Sequence, residues 1–173
     1  MKIYYYFHIP KTGGTSMLHF LQYLSKNVSN SKLYNFNCQN TENPKNIDLI
    51  NILSNENINK YDYIFIHHHH GYYGLMHYDE FLIKKKKELL HNGHTMKIFS
   101  TIRNVLSFNN SRLNYLKDKC GWKGSKNDFL TNEIQWNIQS KYFFFSHHGA
   151  NLKGNVTSDI VNKKLTKENI LKI

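Results

Sequence analysis

Cysteine is scarce in this chain, and so are long apolar runs. The 173 residues contain only two cysteines, Cys38 and Cys120, which are too few for a disulfide framework and are not spaced like zinc ligands. No stretch approaches the roughly 20 apolar residues needed to span a bilayer. The N-terminal residues do not form a secretory signal, because residues 4–9 already have the composition of a first strand. We therefore expect a soluble, cytoplasmic protein.

Acidic residues are also few, with 12 Asp and Glu against 23 Lys and Arg, a formal net charge of +11 and a pI near 9.5. A field of this sign attracts anions such as a nucleotide, an acidic glycan or nucleic acid. The densest basic run, residues 84–87, lies in a predicted helix over residues 80–91, where it is interpreted as a solvated face. A hydrophobic content of 40% excludes global disorder, and the length predicts a single domain over residues 1–173.

The strongest motif lies at the start of the chain. Residues 4–9 are an unbroken apolar and aromatic run, which is typical of a strand buried on both faces of a parallel sheet. A helix follows, with Met17, Leu18 and Leu21 at helical spacing. Between strand and helix stands a short loop of Lys, Gly and hydroxyl residues: Lys11, Thr12, Gly13, Gly14, Thr15 and Ser16. Strand, glycine-rich loop and helix N-terminus together predict a phosphate cradle.

The rest of the chain alternates strands with helices. Residues 61–66 and 96–102 are the next predicted strands, and helices are predicted over residues 105–117 and 128–146, with a short helix opening at Thr166. Residues 26–60 are rich in Asn and Ser and are interpreted as an insertion over the sheet, with one helix at residues 47–53. The pattern predicts a three-layer α/β domain with a central parallel sheet.

Three groups of polar residues follow predicted strands. They are the loop at Lys11, the histidines at residues 67–70, and Arg103. Ligands of such sheets bind beyond the carboxyl ends of the strands. All three groups are therefore expected to share one crevice.

The loop sequence, from Pro10 to Ser16, resembles the 5′-phosphosulfate loop of sulfotransferases that use 3′-phosphoadenosine 5′-phosphosulfate (PAPS). It is most similar to the branch that contains the carbohydrate sulfotransferases. It differs from the nucleotide-triphosphate loop G-x-x-x-x-G-K-[ST], because Lys11 precedes the glycines. The resemblance implies a P-loop-like fold, PAPS as donor, 3′-phosphoadenosine 5′-phosphate (PAP) as product and no metal. It assigns donor binding to residues 11–16 and a catalytic role to Lys11.

A second segment resembles the 3′-phosphate motif of the same family. It consists of Arg103 at a strand end, Ser111 eight residues later and Tyr115 four beyond that. The resemblance implies that Arg103 and Ser111 hold the 3′-phosphate, which suits a forked cation and a hydroxyl donor. The chain departs from the family in having Asn-Val at residues 104–105 where Asp-Pro is usual, and Phe108 where a second Arg is frequent. Residues 137–139 resemble a family Asn-x-Gln segment.

Four consecutive histidines occupy residues 67–70. On an extended backbone His68 and His70 share one side, and His67 and His69 share the other. Some carbohydrate sulfotransferases have His-x-His after this strand, and that resemblance implies His70 as the base and His68 as its helper. Zinc ligands and polar residues without a role at a strand end are the alternatives.

These motifs together predict transfer of a sulfuryl group from PAPS to an acceptor hydroxyl of a carbohydrate. A P-loop nucleotide kinase or NTPase is one alternative, although the order of its motif and a strand-borne Asp for Mg²⁺ are missing. A non-enzymatic basic module that binds nucleic acid or glycan is another, but it leaves the phosphate loop unexplained. Relatives usually continue beyond the segment at Thr166, so a truncated, reduced or inactive member is a further expectation.

Overall fold

The computed structural model describes residues 1–37, 49–54, 56–69, 79–131 and 139. Within these ranges the chain forms four strands, five α-helices and one 3₁₀ helix. In chain order they are β1 (Lys2–His8), α1 (Gly14–Asn27), β2 (Ser31–Asn37), α2 (Leu49–Ser54), a 3₁₀ helix (Glu56–Lys60), β3 (Tyr63–His69), α3 (Asp79–His91), β4 (Thr95–Ser100), α4 (Val105–Cys120) and α5 (Lys126–Thr131).

The four strands form one parallel sheet in the order β2-β3-β1-β4. β1 is central, and the side chains of Tyr5, Tyr6 and Phe7 are fully buried although they alternate between the two faces. The unbroken apolar run at residues 4–9 therefore predicted this strand correctly, since a central parallel strand is covered on both sides. The α/β class with a parallel sheet is confirmed.

Helices cover both faces of the sheet because the chain changes direction across it. The crossover from β1 to β2 runs towards the β2 edge of the sheet, and the crossover from β3 to β4 runs towards the β4 edge. Because both connections are right-handed, their helices lie on opposite faces. α1 packs on the face that carries Tyr6 and Phe65, where Leu21 is buried. α2, α3 and α4 pack on the other face, where Tyr5, Phe7 and Ile66 meet the apolar residues of those helices, Leu53, Leu82 and Phe108. The change of direction occurs at β1, which places the loop after β1 at the switch point of the sheet.

The segment predicted as an insertion is partly built into the sheet. Residues 31–37 form the edge strand β2, which pairs in parallel with β3, and the helix predicted over residues 47–53 is α2. The edge strand was missed because its apolar residues, Leu33, Tyr34 and Phe36, are interleaved with Lys and Asn. An edge strand with partly solvated faces does not need a continuous apolar run.

The remaining elements agree with the predictions to within a few residues. Both α3 and α4 are followed by a glycine in the left-handed conformation, Gly93 and Gly121, which stops each helix. The helix predicted from residue 128 begins at Lys126, and its continuation, like the helix predicted at Thr166, lies outside the described residues. In the part of the chain that the structure describes, no helix has both the length and the apolar character to cross a membrane.

Candidate functional site

The loop after β1 is held in an unusual backbone conformation. Lys11 has φ of 66° and Gly13 has φ of 92°, so two residues of one short loop are left-handed. Such a conformation is costly for a residue with a side chain, and residues held in it cluster at functional sites. Successive turns of this kind aim backbone N–H groups into a concave surface that suits an anion.

The helix that follows begins without a cap. Its N-cap residue is Gly13, no side chain accepts a hydrogen bond there, and its first turn contains no acidic residue. α4 shows the contrast, because Asn104 Oδ1 accepts hydrogen bonds from the N–H groups of Leu106 and Ser107. The amides that open α1 therefore remain available to an anion, which the helix dipole also favours. Asn104 thus serves as the cap of α4.

Hydroxyl groups fasten the loop to the ends of β1 and β4. Thr12 Oγ1 donates to the carbonyl of Ile9 at 2.6 Å, and Thr101 Oγ1 donates to the carbonyl of Thr12 at 2.9 Å. The hydroxyl of Tyr6 lies 2.6 Å from Thr101 Oγ1, and Ser100 Oγ donates to the carbonyl of Phe7 at 2.6 Å. Thr12, assigned to donor binding, thus fixes the loop through its side chain. The roles of Tyr6 and Thr101 were not predicted, because the sequence of one strand does not show which strand pairs with it.

Arg103 lies beside the loop, as expected from its place at the end of a strand. Its Nη1 donates to the carbonyl of Lys11 at 3.3 Å, and its Nε donates to Ser107 Oγ at 2.8 Å. The side-chain amide of Gln139 accepts from the N–H of Arg103 and donates to its carbonyl, both at 3.0 Å. The guanidinium is exposed, so part of it remains open to a ligand.

One face of α4 lies next to Arg103 and Lys11. Ser107, Ser111 and Tyr115 stand four residues apart, so they lie along one side of the helix. Ser107 contacts Arg103, and the centroid of the Tyr115 ring lies 4.7 Å from Lys11 Nζ. Ser111 therefore stands between a residue that contacts Arg103 and a residue that contacts the loop. Phe108 is buried in the core on the sheet side of the helix.

The structure corrects the expected facing of the histidine run. His68 is 1% exposed and lies on the face opposite α1, where its Nδ1 is 2.8 Å from the hydroxyl of Tyr5 and its ring meets Phe7 and Phe36 edge-on. It is a residue of the core and does not share a crevice with the loop. His70, the expected base, lies outside the described residues.

His67 and His69 occupy the other side of β3, beneath the first turn of α1. Together with His8 they line a cavity of about 220 Å³, whose other lining residues are Gly14, Thr15, Leu18 and Asn35. The ring centroids of His8 and His69 are 4.3 Å apart, and those of His8 and His67 are 5.2 Å apart. His8 was not singled out from the sequence. The sequence feature that could have identified it is the alternation of side chains along β1, which places His8 on the same face as Tyr6 and next to the loop.

Burial keeps the inner imidazoles uncharged. It lowers the pKa of His8 to about 3, with smaller contributions from His69 and His67. It lowers the pKa of His67 to about 4, an effect that the backbone of Gly14 partly opposes. His67 Nδ1 lies 2.8 Å from Asn35 Oδ1, and since a carbonyl oxygen only accepts, Nδ1 carries the hydrogen. At neutral pH the cavity is therefore lined by neutral donors and acceptors.

No group of three or more His, Cys, Asp or Glu among residues 1–37, 49–54, 56–69, 79–131 and 139 is arranged to hold a metal ion. The chain matches no protein-family model, no curated protein and no solved structure.

Proposed function

We propose that this protein is a PAPS-dependent sulfotransferase that acts on a carbohydrate hydroxyl. The observation that carries the proposal is the uncapped N-terminus of α1, which opens at the switch point of a parallel sheet beside Lys11 and Arg103. Two cations next to a set of uncommitted amides suit a ligand with several anionic groups, as a nucleotide with two phosphates is. The resemblance of residues 10–16 to the phosphosulfate loop names that ligand.

The order of the strands supports a division of the site into three parts. The loop follows the central strand β1, Arg103 follows β4 on one side, and the histidine cavity lies at β3 and β2 on the other. In the proposed complex the loop amides hold the 5′-phosphate, and Arg103 with Ser111 holds the 3′-phosphate. The acceptor then approaches from the cavity side, so that donor and acceptor meet in line above the end of β1.

Sulfuryl transfer is an in-line displacement that requires positioning and charge neutralisation more than covalent catalysis. The acceptor oxygen forms a bond to sulfur, the bond between sulfur and the bridging oxygen breaks, and PAP leaves with the electron pair. Lys11 neutralises the charge that develops on the bridging oxygen. An imidazole of the cavity takes the proton of the acceptor hydroxyl. His69 is the best placed, because it is only partly buried whereas His8 and His67 are enclosed.

Calorimetric titration with PAP and with ATP plus Mg²⁺ tests the proposal. A sulfotransferase is expected to bind PAP without metal and to bind ATP weakly whether or not Mg²⁺ is present. Preference for ATP with Mg²⁺ would favour a nucleotide kinase or NTPase. Binding of neither nucleotide would leave a basic binding module, and both of these results contradict the proposal.

The role of Lys11 is tested by Lys11→Ala. Because the side chain rests on the Tyr115 ring at the surface of the loop, its loss removes little packing, and the fold is expected to persist. Removal of one preorganised charge is expected to lower the rate of transfer by roughly 10²–10³-fold. Lys84→Ala, an exposed lysine on α3, is the matched control and should transfer at the native rate. Near-native transfer by Lys11→Ala would remove Lys11 from the mechanism.

The role of Arg103 is tested by comparing two nucleotides on Arg103→Ala. Loss of a charge-assisted contact costs about 1.5–3 kcal/mol, so affinity for PAP should fall by roughly 10- to 150-fold. Affinity for adenosine 5′-phosphate, which lacks the 3′-phosphate, should change much less. Ser111→Ala should give a smaller loss with the same selectivity. Equal weakening of both nucleotides by Arg103→Ala would show that Arg103 only supports the loop through the carbonyl of Lys11.

A further inference from the structure

His8 is packed directly against the start of α1. Its side chain is 6% exposed, and a β-carbon added to Gly14 would stand 1.8 Å from His8 Nε2. Only glycine leaves room for the imidazole at this point, so the ring lies against the backbone that opens the helix. Any anion held by the first-turn amides is therefore a close neighbour of His8.

Two buried ring nitrogens beneath this turn have no partner. His8 Nδ1 and His67 Nε2 are inaccessible to solvent and have no close hydrogen-bond partner among the described residues, although the backbone of Gly14 lies near enough to the His67 ring to oppose part of the burial effect on its pKa. Buried polar atoms of this kind are rare and call for an explanation. Since His67 carries its hydrogen on Nδ1, its Nε2 is an unprotonated acceptor. The group thus contains a vacant position for a proton.

Among the described residues, the surroundings of the group supply no fixed counter-charge. Tyr6 faces it from β1, His69 from β3 and Asn35 from β2, while α1 contributes the first turn together with Thr15 and Leu18. None of these described neighbours is a carboxylate or a permanently charged cation. The charge state of the three imidazoles is therefore sensitive to any ion that binds next to them.

We propose that His8 couples the charge of the bound donor to the protonation of the His8–His67–His69 group, which takes up a proton when the anion occupies the first turn of α1. The proposal rests on the proposed function, because it takes the nucleotide donor as the anion. In the free protein, burial and the positive end of α1 both disfavour the imidazolium. A bound phosphate adds negative charge across a poorly solvated space, which raises the pKa of each neighbouring imidazole towards the neutral range.

This coupling gives the reaction a proton cycle. Uptake on donor binding is partial, and an imidazole that is still neutral in the donor-bound protein has a raised pKa, so it is basic enough to accept the hydroxyl proton of the acceptor as the acceptor oxygen bonds to sulfur. The N–H bond that forms on the imidazole balances the O–H bond that breaks. When PAP leaves, the negative charge leaves with it, the imidazolium loses its stabilisation, and the proton passes to solvent.

Calorimetry in buffers of different ionisation enthalpy measures the proton uptake directly. With PAP at pH 6.5 the native protein is expected to take up a measurable fraction of a proton more than His8→Gln, which keeps a polar side chain but cannot be protonated. The phosphates of the ligand titrate alike in both titrations and cancel in the difference. His91→Gln, an exposed histidine on α3, is the matched control and should behave as the native protein does.

A second measurement does not depend on the variant. A pH titration of the native protein is followed in ¹⁵N-histidine spectra. The titration midpoints of the cavity imidazoles should rise by at least one pH unit with PAP, rise less with adenosine 5′-phosphate and stay unchanged with adenosine. Unchanged midpoints with saturating PAP, or equal uptake by the native protein and His8→Gln, would overturn the proposal while leaving the sulfotransferase assignment intact. Failure of PAP to bind at all would overturn both.

Discussion

His69→Ala is expected to slow sulfuryl transfer by roughly 10²–10⁴-fold, the usual cost of losing a general base. The expectation follows from the position of His69 at the mouth of the cavity, where its ring lies 4.3 Å from that of His8 and close to the first turn of α1. Affinity for PAP should change little, since this change leaves the loop amides, Lys11 and Arg103 in place. The measurement is the initial rate of transfer from PAPS at saturating donor.

His68→Phe is the matched control, because His68 stands next in sequence but faces the opposite side of the sheet. The aromatic replacement fills the same space among Phe7 and Phe36, so transfer should stay near the native rate. The reverse result, with His68→Phe inactive and His69→Ala fully active, would mean that the acceptor base lies on the other face of β3. The rate should also fall at low pH, because a protonated imidazole cannot accept the hydroxyl proton.

The protein is expected to lose stability steeply in mild acid. Burial lowers the pKa of His8 to about 3 and that of His67 and His68 to about 4, while an unfolded chain protonates its histidines near pH 6.5. Between these values the unfolded state binds more protons than the folded state, so the free energy of unfolding falls as the pH falls. Each such histidine contributes about 1.4 kcal/mol per pH unit. Three of them acting together would remove most of a typical domain's stability of about 5–15 kcal/mol before pH 4.

Urea unfolding followed by circular dichroism between pH 7.5 and pH 4.5 measures this slope. In His68→Phe the slope should be shallower by about 1.4 kcal/mol per pH unit, since one of the three histidines is gone. His91→Gln, which removes an exposed histidine, should leave the slope unchanged. A native protein whose free energy of unfolding is constant over this range would contradict the burial of neutral imidazoles in the sheet.

The centre of the fold could be predicted from sequence because its signals are local and redundant. The run at residues 4–9 is typical of a strand covered on both sides, and the glycines at residues 13 and 14 indicate a tight turn into the helix that follows. The position of Arg103 next to the loop followed from a general rule for parallel sheets, and its contact with the carbonyl of Lys11 agrees with that rule.

The facing of the histidines could not be predicted, because four identical residues carry no alternation. The facing is set by pairing with β1, where His8 stands opposite His69 and Phe7 opposite His68. The apolar residues before the run, Ile64 and Ile66 on one face and Phe65 on the other, are buried alike and give no preference. A one-residue difference in register moves every side chain to the other face. The edge strand β2 was missed for a related reason, since its polar residues are tolerated only because it lies at the edge.

The residues that evolution can accept at position 14 depend on the residue at position 8, where His8 stands against Gly14. With the imidazole in place, even one methyl group at position 14 would stand 1.8 Å from a ring nitrogen, so a change there is harmful while His8 remains. Once His8 has been replaced by a smaller residue, the same change at position 14 no longer meets the imidazole atoms that are its three nearest neighbours. The order of the two substitutions therefore decides whether an intermediate survives. A lineage that keeps the imidazole is bound to keep the glycine, whatever that glycine contributes to the loop.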